Sequence, residues 1–155
     1  MIISIDPGIS GAVAFLSNAG LYRDVIDMPV YKTGVKNQRE VDPIELIEMF
    51  NKYGNIKAIV LEKVHSMPAQ GVTSSFNFGI NFGILKGAIG SLNIKPTLVT
   101  PQAWKKHFKL IGKPKDDSRL LAQKLFPSSS LSRKKDCDRA DALLLGLYYI
   151  QTNNC

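Results

Sequence analysis

Four acidic residues occupy positions where carboxylates could do chemistry. Asp6 ends a short β-branched run and is followed at once by a Pro-Gly turn, and Glu62 ends a second apolar run. Asp138 and Asp141 are three residues apart, which places both on one face of a helix. Taken singly, these acids could be a turn residue, a strand terminus and helix N-terminal acids favoured by the macrodipole.

Taken together, the same four acids predict a metal site. If the strands ending at Asp6 and Glu62 are neighbours, the two carboxylates emerge side by side, and the helix pair can close the site. Four clustered carboxylates repel one another unless divalent cations lie between them. Ligands that are all oxygen favour Mg²⁺ or Mn²⁺ over zinc.

The charge balance indicates what such a site would act on. The 155 residues, enough for one domain, carry 20 Lys and Arg against 13 Asp and Glu, a net charge of +7. A basic protein favours an anionic partner, most often nucleic acid. Two cations about 3.5–4 Å apart could activate a water and stabilise the leaving 3′ oxygen of a phosphodiester.

Other classes of protein are disfavoured. The apolar stretch 143–150 is far shorter than the roughly 20 residues that span a bilayer, and the N-terminus lacks the features of a signal peptide. The two cysteines, Cys137 and Cys155, form neither a disulfide framework nor a zinc motif. We therefore expect an intracellular protein of the reducing cytoplasm or nucleoid, with no membrane and no small-molecule cofactor.

The elements that must position the acids form an α/β pattern. Strands are predicted over 1–6, 11–16 and 21–27 as an antiparallel meander, followed by a polar loop over 29–41. Asp42 and Pro43 start a helix, and Gly54 stops it. Further strands are predicted over 57–62 and 96–100, and further helices over 76–92, around Trp104, over 116–126 and over 138–150. The prediction is a single domain, residues 1–155, with a mixed five-stranded sheet flanked by helices.

Two further patterns have alternative interpretations. Gly79, Gly83 and Gly87 form a stripe on the helix 76–92, which indicates close packing either against a second copy or on the protein's own sheet. Basic residues cluster near Trp104, itself predicted as a core anchor, and in two loops; each cluster is either a solvated surface or a phosphate contact. The clusters are Lys105, Lys106, Lys109, Lys113 and Lys115, then Lys32, Lys36 and Arg39, and finally Arg133, Lys134 and Lys135.

Three motifs around the four acids resemble the RuvC-type Holliday junction resolvases of the RNase H-like superfamily. They are I-D-P-G-x-x-G at 5–11, V-L-E-K-V-H at 60–65 and D-R-A-D-A-L at 138–143, in the order typical of that family. The short turn after Asp6 and the compact length resemble the phage-type members. Where the bacterial enzymes have an aromatic residue after the Glu strand, this chain has His65, and Phe76 is the nearby aromatic that could replace it.

The resemblance implies an RNase H-like fold and an Mg²⁺-dependent homodimer, with Mn²⁺ able to substitute, that nicks two opposed strands of a four-way junction. The ends would be 5′-phosphate and 3′-hydroxyl. Asp6, Glu62, Asp138 and Asp141 would bind two ions, Lys105 and Lys115 would act near the scissile phosphate, and the helix 76–92 would be the dimer contact. His65, Phe76 and the basic residues around 105–115 and 133–135 are the candidate DNA contacts.

Two other functions stay open on the sequence. One is a nuclease for flap DNA or RNA–DNA hybrids, because one fold supports several substrates. The other is a module that binds branched DNA without cutting it, although a binder gains nothing from four acids that face phosphates.

Overall fold

The computed structural model describes residues 1–36, 38–64 and 71–153. In those ranges the strands are β1 (Ile2–Asp6), β2 (Ala12–Leu16), β3 (Tyr22–Asp27), β4 (Val30–Lys32), β5 (Arg39–Val41), β6 (Ala58–Glu62) and β7 (Thr97–Val99). Five of them form one sheet in the order β3-β2-β1-β6-β7. Neighbours among β1, β2 and β3 are antiparallel, whereas β6 runs parallel to β1 and β7 parallel to β6. The predicted meander and mixed five-stranded sheet are confirmed.

Helices cover both faces of this sheet. They are α1 (Pro43–Tyr53), α2 (Val72–Ser91), α3 (Pro101–His107), α4 (Lys115–Leu125) and α5 (Cys137–Asn153), with a 3-10 turn at Lys134–Asp136 before α5. Side chains alternate along a strand, so Ile3 and Ile5 of β1 join the core under α1 and α2. Ile2 joins the core on the other face, where Trp104 of α3 and Leu144 of α5 are buried.

The start of α1 follows the predicted chemistry. The Asp42 side chain accepts hydrogen bonds from the backbone N–H groups of Ile44 and Glu45, and Pro43 is the first helical residue. Gly54 ends the helix in a left-handed conformation, with φ of +46°. This helix is the crossover that returns the chain from the meander to β6, beside β1.

The segment 29–41 is more ordered than the predicted polar loop. β4 and β5 pair as a two-stranded antiparallel hairpin, from Val30 opposite Val41 to Lys32 opposite Arg39. The Val41 N–H donates to the Asn81 side chain of α2 at 2.7 Å, which anchors the hairpin to a distant helix. Local composition does not reveal a contact across 40 residues, so the loop prediction was wrong here.

Two of the three leucines of α4 lie on its exposed side. Leu120 and Leu125 are 52% and 44% exposed, whereas Ala122 and most of Arg119 are buried. Arg119 donates to the Leu131 carbonyl at 2.9 Å, so its side chain lies between α4 and the loop before α5. Among the described helices, none is long and apolar enough to cross a membrane.

Candidate active site

Two neighbouring parallel strands deliver the first two carboxylates. β1 and β6 pair through Ile5 and Leu61, and the next residue of each strand is Asp6 or Glu62. Both strands run in the same direction, so their carboxyl ends meet at one edge of the sheet. The expectation that these two acids emerge side by side is met.

The turn after Asp6 depends on two glycines. Gly8 has φ of +118°, a conformation that residues with a side chain rarely adopt. A Cβ on Gly11 would lie 2.0 Å from the Asp6 carbonyl oxygen, which is a backbone atom and cannot move aside. The Gly11 N–H donates to the Gly8 carbonyl at 3.0 Å and closes the turn. The glycines of the I-D-P-G-x-x-G motif therefore permit the tight turn that holds Asp6 in place.

The other two carboxylates arrive on α5, which lies directly on the sheet. A Cβ on Gly146 would lie 2.5 Å from the Ser4 hydroxyl oxygen, so the helix and β1 are in close contact there. The same hydroxyl donates to the Ala142 carbonyl at 2.7 Å. This contact determines how far Asp138 and Asp141 lie from Asp6.

All four acids line one cleft of about 390 Å³. Lys105, Lys113 and Lys115 line the same cleft, together with Leu110, Ser118 and the turn residues Pro7, Ser10 and Gly11. Acids from two strands and one helix thus meet lysines from α3, α4 and the loop between them. The structure places the predicted acidic set, and three of the predicted lysines, at one site.

The carboxylates of this cleft affect one another's ionisation. Burial raises the pKa of Asp6 well above its ordinary value, and the negative charges of Glu62, Asp141 and Asp138 raise it further. Burial raises the pKa of Asp141 to about 6, against the lowering effect of Lys105 and the Ser118 hydroxyl. Burial also raises the pKa of Glu62, opposed first by the hydrogen bond from Trp104 and then by Lys105. Such perturbation by desolvation and like charge is typical of functional sites.

Protein donors hold two of the four acids. Lys115 Nζ lies 2.6 Å from Asp138 Oδ1, and Trp104 Nε1 lies 2.8 Å from Glu62 Oε1. In the described ranges, no three Asp, Glu, His or Cys side chains lie close enough to hold one ion without moving. Asp141 Oδ1, in contrast, is buried and has no hydrogen-bond partner among the residues that the structure describes. A buried carboxylate oxygen is costly to leave unpaired, so this atom and the all-oxygen donor set fit a hard divalent cation.

Solved structures with the same architecture are found across the whole length of the chain. Thermus thermophilus RuvC has a TM-score of 0.68 at 14% identity, over 98% of this chain and 96% of RuvC. The same protein in complex with a Holliday junction substrate gives 0.68 at 14%, over 99% and 94%. Fowlpox virus resolvase, in complex with substrate Holliday junction DNA, gives 0.50 at 19%, over 98% and 99%. The chain has the RuvC fold.

Comparisons of the amino-acid sequence alone do not find this similarity. No protein-family model matches the chain, and no curated protein matches it. The RuvC-type resemblance read from three short motifs is confirmed at the level of the fold, including the RNase H-like sheet. Those motifs supply the four acids of the cleft, whereas its lysines come from the segment 105–115.

A second, basic depression adjoins the cleft of this RuvC fold. It has a volume of about 570 Å³ and shares Ser10, Gly11, Lys115 and Asp138 with the cleft. Its basic residues are Arg39 from the β4–β5 hairpin, Lys115, and Arg133, Lys134 and Lys135 before α5. We call this depression the basic groove. Arg133 is paired with the buried Asp136 at 2.6 Å, whereas Lys134 and Lys135 are exposed and form no ion pair with the described residues.

The remaining candidate DNA contacts lie elsewhere. Lys106 and Lys109 are exposed but are not among the residues that line the cleft or the basic groove. Phe76 is 68% exposed on α2, and the aromatic ring nearest the Gly8 turn is that of Phe78. His65 lies outside the described residues.

The glycine stripe is open to its surroundings, whereas Trp104 is packed in the core. Apart from the backbone of α2 itself, no atom of the described residues lies within 4 Å of the Cβ positions of Gly79, Gly83 or Gly87, so the stripe does not pack on the described sheet. Trp104 is fully buried, as expected of a core anchor, but its indole also reaches Glu62. This functional contact was missed because nothing in local spacing connects two residues 42 positions apart.

Proposed function

We propose that this chain is a structure-specific DNA endonuclease that resolves four-way junctions by paired, metal-dependent nicks. The observation that carries the proposal is the convergence of Asp6, Glu62, Asp138 and Asp141 with three lysines in one cleft of a RuvC fold. The similar structures that contain Holliday junction DNA favour this substrate.

In this proposal Asp6, Glu62 and Asp141 would be the principal ligands of the Mg²⁺ ions, with Asp138 as the fourth acid of the cleft. Asp141 Oδ1 supports the assignment, because it has no hydrogen-bond partner among the described residues and a bound cation would compensate for that lack. When bound, such ions lower the pKa of a coordinated water and stabilise charge on the leaving 3′ oxygen. Mn²⁺ has the same preference for carboxylate oxygen and is expected to substitute.

The lysines of the cleft offset the negative charge of the four acids, which alone would repel a phosphate group. Lys115 pairs with Asp138 and so reduces the negative charge next to Asp6. The positive charge of Lys105 opposes the rise in pKa that burial causes for both Glu62 and Asp141. Both side chains line the cleft and can stabilise the extra negative charge of a phosphodiester under attack.

The basic groove is the proposed path of the DNA strand beside the cleft. Replacing both Lys134 and Lys135 by Ala is expected to weaken junction binding and to lower the slope of log affinity against log salt by up to about 2. Lys95→Ala with Lys124→Ala removes the same charge from exposed positions outside the groove and cleft, and is the matched control. Equal losses in the two double variants would indicate a general charge effect and no specific path.

A homodimer through α2 is part of the proposal, because two cleavage sites must face two opposed strands. The outward side of α2 carries the open glycine stripe, together with Val72 and Phe76, which are 87% and 68% exposed. An open stripe of small residues allows two helices to approach closely. A two-fold dimer matches the symmetry of a four-way junction.

The test is a nicking assay on a labelled, immobile four-way junction, with and without Mg²⁺, beside a linear duplex of the same sequence. Paired symmetrical nicks that require both Mg²⁺ and Asp6 are the expected result. Asp6→Asn should abolish cleavage and retain or improve junction binding, because it removes a charge that repels phosphate. Asp117→Asn, outside the cleft, is the matched control and should cut normally.

Flap DNA and RNA–DNA hybrids belong in the same assay at equal ionic strength, since salt alone changes affinities by orders of magnitude. If either substrate is cleaved faster than the junction, that substrate and not the four-way junction is the target. Tight binding of the junction without a nick in Mg²⁺ or Mn²⁺ would leave a binding module and refute the nuclease.

A further inference from the structure

Trp104 is joined to the candidate site by a single hydrogen bond. Its indole N–H donates to Glu62 Oε1 at 2.8 Å. The indole has only this one donor, and a fully buried indole N–H needs a partner. The contact therefore serves two purposes: it satisfies the core tryptophan and it restrains one oxygen of a carboxylate that lines the cleft.

The fold brings these residues together over a short path. Glu62 ends β6 opposite Val99 of β7, and Thr100 then caps α3, which begins at Pro101. One turn of α3 carries the chain back to Trp104, above the end of β6. The ring cannot move far, because it is fully buried in the core between the sheet and α5.

Lys105 completes the arrangement. Its Nζ lies 5.2 Å from the centre of the Trp104 ring, within the range of a cation–π contact. The positive charge and the N–H donor both favour the ionised carboxylate of Glu62. One oxygen of Glu62 thus accepts a hydrogen bond from the core, while the residue itself lines the cleft.

We propose that Trp104 is a positioning residue that orients Glu62 toward a divalent cation in the cleft, and that its indole consequently reports cation binding. The inference rests on the proposed function, because it takes Glu62 as a metal ligand. Trp104 is the only tryptophan in the chain, so its fluorescence comes from this one position.

The first measurement uses the wild-type protein without DNA. Titration with Mg²⁺, and separately with the paramagnetic quencher Mn²⁺, should change the Trp104 emission saturably, and excess Mg²⁺ should reverse the Mn²⁺ quenching. Glu62→Gln should abolish or strongly weaken the response, whereas Glu48→Gln, exposed on α1, should leave it intact. An emission that stays constant up to metal concentrations that saturate cleavage would overturn the inference.

The second measurement separates positioning from packing. Trp104→Phe keeps an aromatic ring but removes the hydrogen-bond donor. The metal concentration that gives half-maximal cleavage should rise about 10- to 100-fold, as for other groups that orient metal ligands. Phe50→Leu disturbs the core on the opposite face of the sheet and should lower the Tm without this shift. An unchanged metal requirement in Trp104→Phe, or the same shift in both variants, would refute the positioning role.

The outcomes distinguish this inference from the proposed function. Metal-dependent cleavage with a normal metal requirement in Trp104→Phe refutes only the role of Trp104. A saturable Trp104 response in a protein that cuts no DNA supports the metal site and its reporter but refutes the nuclease.

Discussion

Gly146 offers the sharpest test of how the fold positions the candidate site. The helix α5 carries Asp138 and Asp141, and it is in close contact with β1 where Gly146 faces Ser4. A methyl group in Gly146→Ala would lie 2.5 Å from Ser4 Oγ, 2.9 Å from Leu16 Cδ1 and 3.1 Å from Ser4 Cβ. Carbon contacts are optimal near 3.5–4.0 Å, so either the Ser4 and Leu16 side chains must shift or the helix must move outward, by up to about 1 Å.

Several opposing effects set the size of the change. Overpacking a well-packed core costs about 1–3 kcal/mol, and losing the hydrogen bond from Ser4 to Ala142 costs about 1 kcal/mol more. Alanine gains about 1 kcal/mol over glycine within a helix. The net expectation is a loss of about 1–3 kcal/mol in the free energy of unfolding, which lowers the Tm of a chain of this length by roughly 2–12 °C.

Activity should fall by more than stability alone explains. A displacement of about 1 Å at a catalytic group can reduce the rate by about 100-fold. The measurements are denaturant and thermal unfolding, together with junction cleavage at a temperature where the variant is fully folded. Far-UV circular dichroism at that temperature confirms that folded protein is being compared.

Two companions make the result interpretable. Gly90→Ala, in α2 with no atom within 4 Å of its Cβ position, is the matched control and should keep or slightly raise stability. Ser4→Ala combined with Gly146→Ala should recover part of the loss, because it removes the atom at 2.5 Å but leaves Leu16 in place. A Gly146→Ala protein as stable and active as wild type would refute the reasoning that this contact sets the position of α5.

Three further changes have definite expected outcomes. Gly11→Ala should cost more than about 4 kcal/mol, because its methyl group would meet the Asp6 backbone oxygen at 2.0 Å; thermal unfolding of soluble protein, or its failure to accumulate, checks this. Lys115→Met should change the free energy of unfolding by less than about 1 kcal/mol, because its pairing with Asp138 is solvent-exposed, but it should slow cleavage by about 10²- to 10³-fold. The control Lys124→Met should leave both the free energy of unfolding and the cleavage rate unchanged. Gly83→Leu should leave the Tm nearly unchanged, because the position is open, and should convert the expected dimer to monomer in sedimentation; a dimer that survives would exclude this helix face as the interface.

The sequence by itself determined the elements and the chemistry that is local to them. The antiparallel meander, the capped start of α1 and the mixed five-stranded sheet follow from side-chain alternation, capping residues and glycine positions, which act within a few residues. The acids were recognisable for the same reason: each ends an apolar run or begins a helix. The order I-D-P-G-x-x-G has a local cause too, since Gly8 and Gly11 must lack side chains for the turn after Asp6 to close.

Only the tertiary structure decided what lies next to those acids. Trp104 reaches Glu62, Lys115 reaches Asp138, and Asn81 holds the β4–β5 hairpin, across 42, 23 and 40 positions of the chain. Such contacts depend on how helices pack on the sheet, and no periodicity within one segment records that packing. The same limit applies to α4, which exposes two of its three leucines and buries Arg119, whose side chain donates to the Leu131 carbonyl in the loop before α5. Local residue types thus specify which groups can do the chemistry, and long-range packing specifies which partners hold them.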